Sequence, residues 1–205
     1  MKQVNGKLQS SIVFLAIFAI ICGAFLCHPV VANVEKEEEG RTFKVGFDAE
    51  FPPYGYKDES GEYVGFDLDL AQEVCDRLGY ELVKQPIDWD AKEMELSTGK
   101  IDCIWNGLTI TPERQEALAF TKPYLNNDQV LVVRKDSGIK SLADAAGKKV
   151  GAQNGSSAQD AIEANPEFKK SLKDVVLFRE NLTALNDLET RGVDAVVMDS
   201  VVASY

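Results

Sequence analysis

The chain has 205 residues, 45% of them hydrophobic and 27% charged, a balance that excludes a fibrous or disordered protein. Its formal charge is −11, and without Lys2 and Lys7, the only charges among residues 1–32, it becomes −13. Such a surface repels phosphate backbones, so nucleic acid is not an expected partner. The single histidine, His28, falls in the N-terminal segment, which leaves the rest of the chain without a Ser-His-Asp triad or a histidine zinc site.

The N-terminus reads as an export signal. Lys2 and Lys7 precede the uncharged run "IVFLAIFAIICGAFL", and "VVA" places small or β-branched residues before a cut ahead of Asn33. An uncleaved membrane anchor is the alternative, since the apolar stretch extends to about twenty residues if His28 and Pro29 are tolerated. Residues 33–41, "NVEKEEEGR", read as a solvated linker. Of four cysteines, Cys22 and Cys27 lie in the signal; Cys75 and Cys103 read as two buried thiols, with a disulfide as the alternative in an exported chain.

Alternation in "RTFKVGFDAEF" predicts a strand over 42–47, ended by Asp48 and the turn-forming Pro52-Pro53. After the polar turn "KDESGEY", Asp67 reads as the N-cap of a helix with Leu70, Ala71, Val74, Cys75 and Leu78 on one stripe and Gly79 as its stop. A strand follows over 80–85. Asp90 and Glu93 read as a capping box for a short helix closed by Gly99. "KIDCIW" is the next strand, and Thr111 with Pro112 starts another helix, reaching residue 118. The second part repeats the pattern. "QVLVVRK", "KKVGAQ", "DVVLF" and "VDAVVM" are strands; helices are expected from Ser141, from about Ala158 and over 182–190. Strand and helix alternate throughout, which predicts α/β architecture with mostly parallel sheets flanked by helices. "STGKIDCIW" and "ETRGVDAVVM" share one pattern, which suggests two similar lobes, divided as 42–127 and 128–205 with a hinge strand between them.

Ligands of open α/β sheets bind beyond the carboxyl ends of strands. Asp48, Asn106, Gly107 and Asp199 stand at such ends. "QNGSS", with Gln153, Ser156 and Ser157, opens a helix whose free N–H groups suit a carboxylate. Arg114 offers a bidentate fork to the same anion, or an ordinary ion pair with Glu113 or Glu116. Asp199 suits an ammonium, and Phe51 and Trp89 supply flat apolar walls or core. An anion site, a cation partner and aromatic walls together describe a zwitterionic amino acid. Asp67 and Asp69 read as structural acids at a helix start.

The stretch "GFDLDLAQEVCDRL", residues 65–78, resembles the signature of the bacterial extracellular solute-binding proteins of amino-acid ABC transporters, polar amino acid branch. "KVGFDAEFPPYGY", "IDCIWNGLTITPERQEALAFTKPY", "GKKVGAQNGSSA" and "GVDAVVMD" agree with it, so the resemblance covers residues 42–205. It implies a two-lobed clamshell that closes on one free polar or charged amino acid and delivers it to a membrane permease. It also implies a monomer with neither cofactor nor metal, and no catalysis. Residue by residue, it implies that Phe51 and Trp89 stack on the ligand, Arg114 takes the α-carboxylate and Thr109 touches the ligand backbone. Asn106, Gly107, Gln153, Ser156 and Ser157 line the pocket, Asp199 takes the α-ammonium, and Asp48 serves the ligand side chain or lobe contacts. Arginine, lysine, glutamine and cystine all remain open as ligands. Family members continue past the "MDS" strand, so an end at Tyr205 predicts a first lobe that is incomplete and of low stability. Two rival functions stand beside this one: the sensing domain of a membrane receptor, and a dehydratase-like enzyme on the same fold.

Overall fold

A computed structural model describes residues 40–205; the expected signal at 1–32 and nearly all of the linker lie outside the described residues. Strand β1 (Arg41–Phe47) buries Val45 and Phe47. Three short strands then form an antiparallel meander not foreseen from the sequence: β2 (Glu50–Phe51), β3 (Gly55–Lys57) and β4 (Tyr63–Val64). Strands of two or three residues carry no readable alternation. The expected polar turn joins β3 to β4, where Asp58 Oδ1 accepts the amides of Ser60 and Glu62.

Helix α1 (Phe66–Leu78) differs from expectation at its start and on its buried face. Gly65, not Asp67, is the N-cap, and no side chain caps it. Leu68, Ala71 and Cys75 face inward with Asp67, whereas Val74 and Leu78 are exposed. The 67/71/75 and 68/75 spacings make one helical stripe, and its cost is a carboxylate placed inside. Gly79 ends the helix in the left-handed region at φ 71°, as its position predicts.

Strand β5 (Tyr80–Pro86) leads to a 3-10 turn, Trp89–Ala91, and helix α2 (Lys92–Ser97). The Asp90/Glu93 capping box does not form, because Asp90 accepts from Asn154 Nδ2 (2.9 Å) instead. After β6 (Cys103–Ile104), α3 (Pro112–Ala117) starts as the sequence predicts, with Thr111 Oγ1 accepting the Arg114 amide. An irregular segment crosses to β7 (Gln129–Val133). Ser141 and Asp144 form a capping box over a 3-10 turn, Leu142–Ala145, in place of the expected longer helix. Then follow β8 (Lys149–Gln153), α4 (Ser157–Glu163), α5 (Pro166–Ser171), β9 (Asp174–Phe178), α6 (Asn181–Glu189), β10 (Ala195–Asp199) and α7 (Ser200–Ser204).

The first lobe is built on a parallel sheet in the order β5-β1-β6. The second has the order β7-β10-β8-β9, parallel except for the antiparallel β7–β10 pair. One core lies between α1 and the first sheet, around Val45, Phe47, Leu68 and Ala71. Another fills one face of the second sheet around Val150, Ala152 and Ile162. A third joins the lobes: Phe51 and Tyr54 pack with Ala184, Leu188 and Met198. Cys75 is buried and Cys103 half-buried, both as free thiols, and burial pushes the Cys103 thiol up to about 12. Among the described residues, no helix is long and apolar enough to cross a membrane.

Candidate functional site

The carboxyl ends of β1, β6, β8 and β10 meet where the two lobes touch. Asp48 directly follows β1, and its backbone N–H donates to Asn106 Oδ1, two residues beyond β6. Its Oδ1 accepts the Glu50 amide (2.8 Å), and its Oδ2 accepts Gln153 Nε2 (2.7 Å) from the end of β8. Gln153 also donates to the Arg179 carbonyl and accepts from Asn181 Nδ2 (3.0 Å). Asp48, Asn106 and Gln153, all expected in the pocket, thus form one buried polar bridge between lobes. Burial raises the Asp48 pKa above the usual carboxylate range, against the lowering effect of the Glu50 amide and Gln153. Burial also raises Glu50, and the nearby charges of Glu180 and Asp48 push it the same way.

The opposite corner is cationic. The Thr111 cap and Pro112 set the first turn of α3 so that Arg114 is buried. Its Nη1 donates to the Thr109 carbonyl (3.0 Å), and its Nη2 reaches the Gly155 carbonyl (3.4 Å) and Asp160 Oδ2 (3.5 Å). The ion-pair partner is therefore Asp160 of the other lobe, and neither Glu113 nor Glu116. Lys92, which no local pattern marks, joins this corner: buried, it donates to the Gly155 carbonyl (2.9 Å) and stands 5.2 Å over the Trp89 ring. Burial is the main cause of its lowered pKa. Gly155 has φ 65°, and a Cβ there would lie 3.0 Å from the Asp90 Cα, so only glycine permits this approach.

Between the corners, Ser157 Oγ bonds Thr109 Oγ1 (3.2 Å) and accepts Gln129 Nε2 (3.0 Å), and Gln129 Nε2 also reaches Asp199 Oδ1 (2.8 Å). Asn127 donates to the same carboxylate oxygen. Burial raises the Asp199 pKa, while Gln129, Asn127 and the Arg114 charge oppose that rise. Ser156 takes the role of a cap: its Oγ accepts the Gln159 amide and donates to the Gln153 carbonyl. Phe51 is buried beside Tyr54, and a Cβ on Gly107 would lie 3.7 Å from its ring. Trp89 is buried on the side of Lys92. All eleven expected residues thus lie along the seam between the lobes, and the polar ones are hydrogen-bonded within the protein itself.

Residues 43–202 match the bacterial extracellular solute-binding proteins, family 3. The chain belongs to that family. Among its family 3 relatives, an arginine-binding extracellular protein, ArtP, of Bacillus subtilis is 32% identical over 84% of this chain and 66% of that protein. A lysine/arginine/ornithine-binding periplasmic protein of Escherichia coli is 35% identical over 80% of this chain and 62% of that one. The chain thus spans slightly under two thirds of the length of these relatives. A crystal structure of an ABC uptake transporter substrate binding protein from Streptococcus pneumoniae, with bound histidine, superposes with a TM-score of 0.78. It is 44% identical and covers 80% of this chain and 68% of that one. These proteins are named as binding proteins, not enzymes. Against this family frame, sequence reasoning missed Lys92, Asn127, Gln129 and Asp160. Each is a polar residue whose neighbours belong to a distant segment, so no local pattern marks it. Among the described residues, no cluster of three or more His, Cys, Asp or Glu side chains is placed to hold a metal ion.

Proposed function

We propose that this chain binds one free amino acid between its lobes, as the exported substrate-binding component of an amino-acid ABC transporter, and passes it to a membrane permease. The lobes divide as residues 42–127 and 128–205, the protein acts as a monomer, and residues 1–32 direct export. The observation that carries the reading is the chain of contacts from Arg114 through Thr109, Ser157 and Gln129 to Asp199. It sets a buried guanidinium and a buried carboxylate on either side of one small region, the complement of an α-carboxylate and an α-ammonium. In this reading Arg114, Thr109, Ser156 and Ser157 receive the carboxylate, and Asp199 the ammonium. Phe51, Trp89 and Gly107 flank the body of the ligand, and Asp48, Asn106 and Gln153 meet its side chain.

At that last end burial, and after it the charge of Glu180, raises the pKa of both Asp48 and Glu50, and a positive group among these acids relieves the repulsion. The ligand therefore carries a cationic side chain. Relatives named for arginine, lysine, ornithine and histidine support this choice. Thermal shift of the purified chain tests it, because a ligand that binds only the folded state raises the midpoint. Arginine, lysine, ornithine or histidine should raise it, and glutamate should not. A folded protein whose midpoint none of them moves does not bind a cationic amino acid, and one whose midpoint none of the common amino acids moves is not an amino-acid-binding protein.

A further inference from the structure

The proposed site leaves one buried acid unused. Asp67, in the first turn of α1, is fully buried, although the helix N-terminus takes no side-chain cap from it. Its backbone N–H donates to the Tyr54 carbonyl (3.0 Å), which ties it to the aromatic wall. Its Oδ1 accepts the Tyr124 hydroxyl (2.9 Å), and Oδ2 has no partner. Tyr124 belongs to the segment that crosses between lobes, and its Oη in turn accepts the Gly107 amide (3.2 Å). Gly107 has φ 58°, a backbone state from which an unsupported glycine peptide readily departs. Two residues on, Thr109 presents the carbonyl that holds Arg114 and the hydroxyl that meets Ser157.

We propose that Asp67 is a positioning residue of the amino-acid site, holding the Gly107 peptide through the Tyr124 hydroxyl and so setting where Thr109 and Arg114 stand. The inference rests on the site assignment above. Its chemistry follows from hydrogen-bond polarity. An ionised carboxylate only accepts, so the Tyr124 proton must point to Asp67, and the phenol's lone pair is left for the Gly107 N–H. A hydroxyl free to rotate sets no such direction. The carboxylate is held there at a cost: burial pushes its pKa up to about 6, and the Tyr124 hydroxyl and the nearby Gly107 amide, which lower it, offset only part of that rise. Asp67 stands two residues past the N-cap, Gly65, and its carboxylate turns into the protein toward Tyr124.

The test pairs amide hydrogen exchange at Gly107 with calorimetric titration of arginine, in the wild-type chain and in Tyr124→Phe, Asp67→Ala and the double variant. Tyr124→Phe, which removes one oxygen, should speed exchange at Gly107 about tenfold and weaken arginine binding by about the same factor, the size of one lost hydrogen bond. Exchange in β8 and β9 should stay unchanged. The double variant should be no worse than Asp67→Ala, because both changes break one chain of contacts. Unchanged exchange at Gly107 in folded Tyr124→Phe, or losses that add in the double variant, overturns the proposal. If Asp67→Ala does not fold, Tyr124→Phe alone decides. A wild-type chain that binds no arginine, lysine or histidine counts against the binding function, whereas the exchange result still judges the relay.

Discussion

Arg114 has every polar neighbour of its guanidinium supplied by the backbone or by Asp160 across the cleft, so its charge is compensated only when the lobes meet. Arg114→Ala should weaken arginine binding by about 2–5 kcal/mol, as for other buried charge pairs that lose one partner; calorimetric titration measures it, and unchanged affinity makes the arginine purely structural. Asp67 predicts the opposite sign for stability. Its pKa lies near 6 in the folded chain against 3.8 for the free group, so between those values the folded state binds more protons than the unfolded one. Stability therefore falls as pH rises through that window, by up to about 3 kcal/mol once pH exceeds 6. Asp67→Asn removes this cost. Urea denaturation should find the variant more stable than wild type at pH 8, with the gain shrinking towards pH 4. A gain independent of pH would mean that the carboxyl is not the source.

At the level of elements, the helix starts that bear on the site were readable where the signal is local. Thr111 and Pro112 mark the start of α3, and Ser156 marks that of α4, because a cap needs only neighbours within four residues. Ser156→Ala should cost about 1 kcal/mol of stability, the worth of a lost N-cap, read as a lower urea midpoint. The Asp90/Glu93 pattern is equally local, yet Asn154 takes the Asp90 carboxylate, a competition that no window of sequence contains. The face of α1 is legible only in part: Ala71 and Cys75 are buried as expected, and Val74 and Leu78 are not, for a related reason. Hydrophobicity favours Val74 and Leu78 as buried, but the sheet meets Leu68, Ala71 and Cys75, and Asp67 is carried in with them. Strand ends were readable as ends; the partners across the cleft, Lys92, Gln129 and Asp160, were not.

Across the whole molecule, the two lobes are tied by contacts of unequal worth. Asp88 and Arg179 form an ion pair at the rim, both well exposed, and such pairs contribute about 0–1 kcal/mol. Gln153 is buried between Asp48 and Asn181. Arg179→Ala should leave the urea midpoint nearly unchanged, whereas Gln153→Leu strands two buried polar partners and should cost about 2–3 kcal/mol. Equal effects would mean that the rim pair is stronger than its exposure suggests.

The shared carbonyl of Gly155 has a consequence for kinetics. Lys92 and Arg114 bring two positive charges to one oxygen inside a molecule of net charge −11, while Asp199 and Asp48 lie on the other sides of the same region. A field of fixed direction thus spans the cleft, and a dipolar solute meets it before any bond forms. A zwitterion with a neutral side chain is turned but not drawn in, so its association rate should barely respond to ionic strength. A cationic amino acid is also pulled by the acidic surface, and its rate should fall as salt screens that pull beyond about 10 Å. Stopped-flow association of arginine and glutamine across a salt series would separate the two, and it would show whether selection begins in the approach or only at contact.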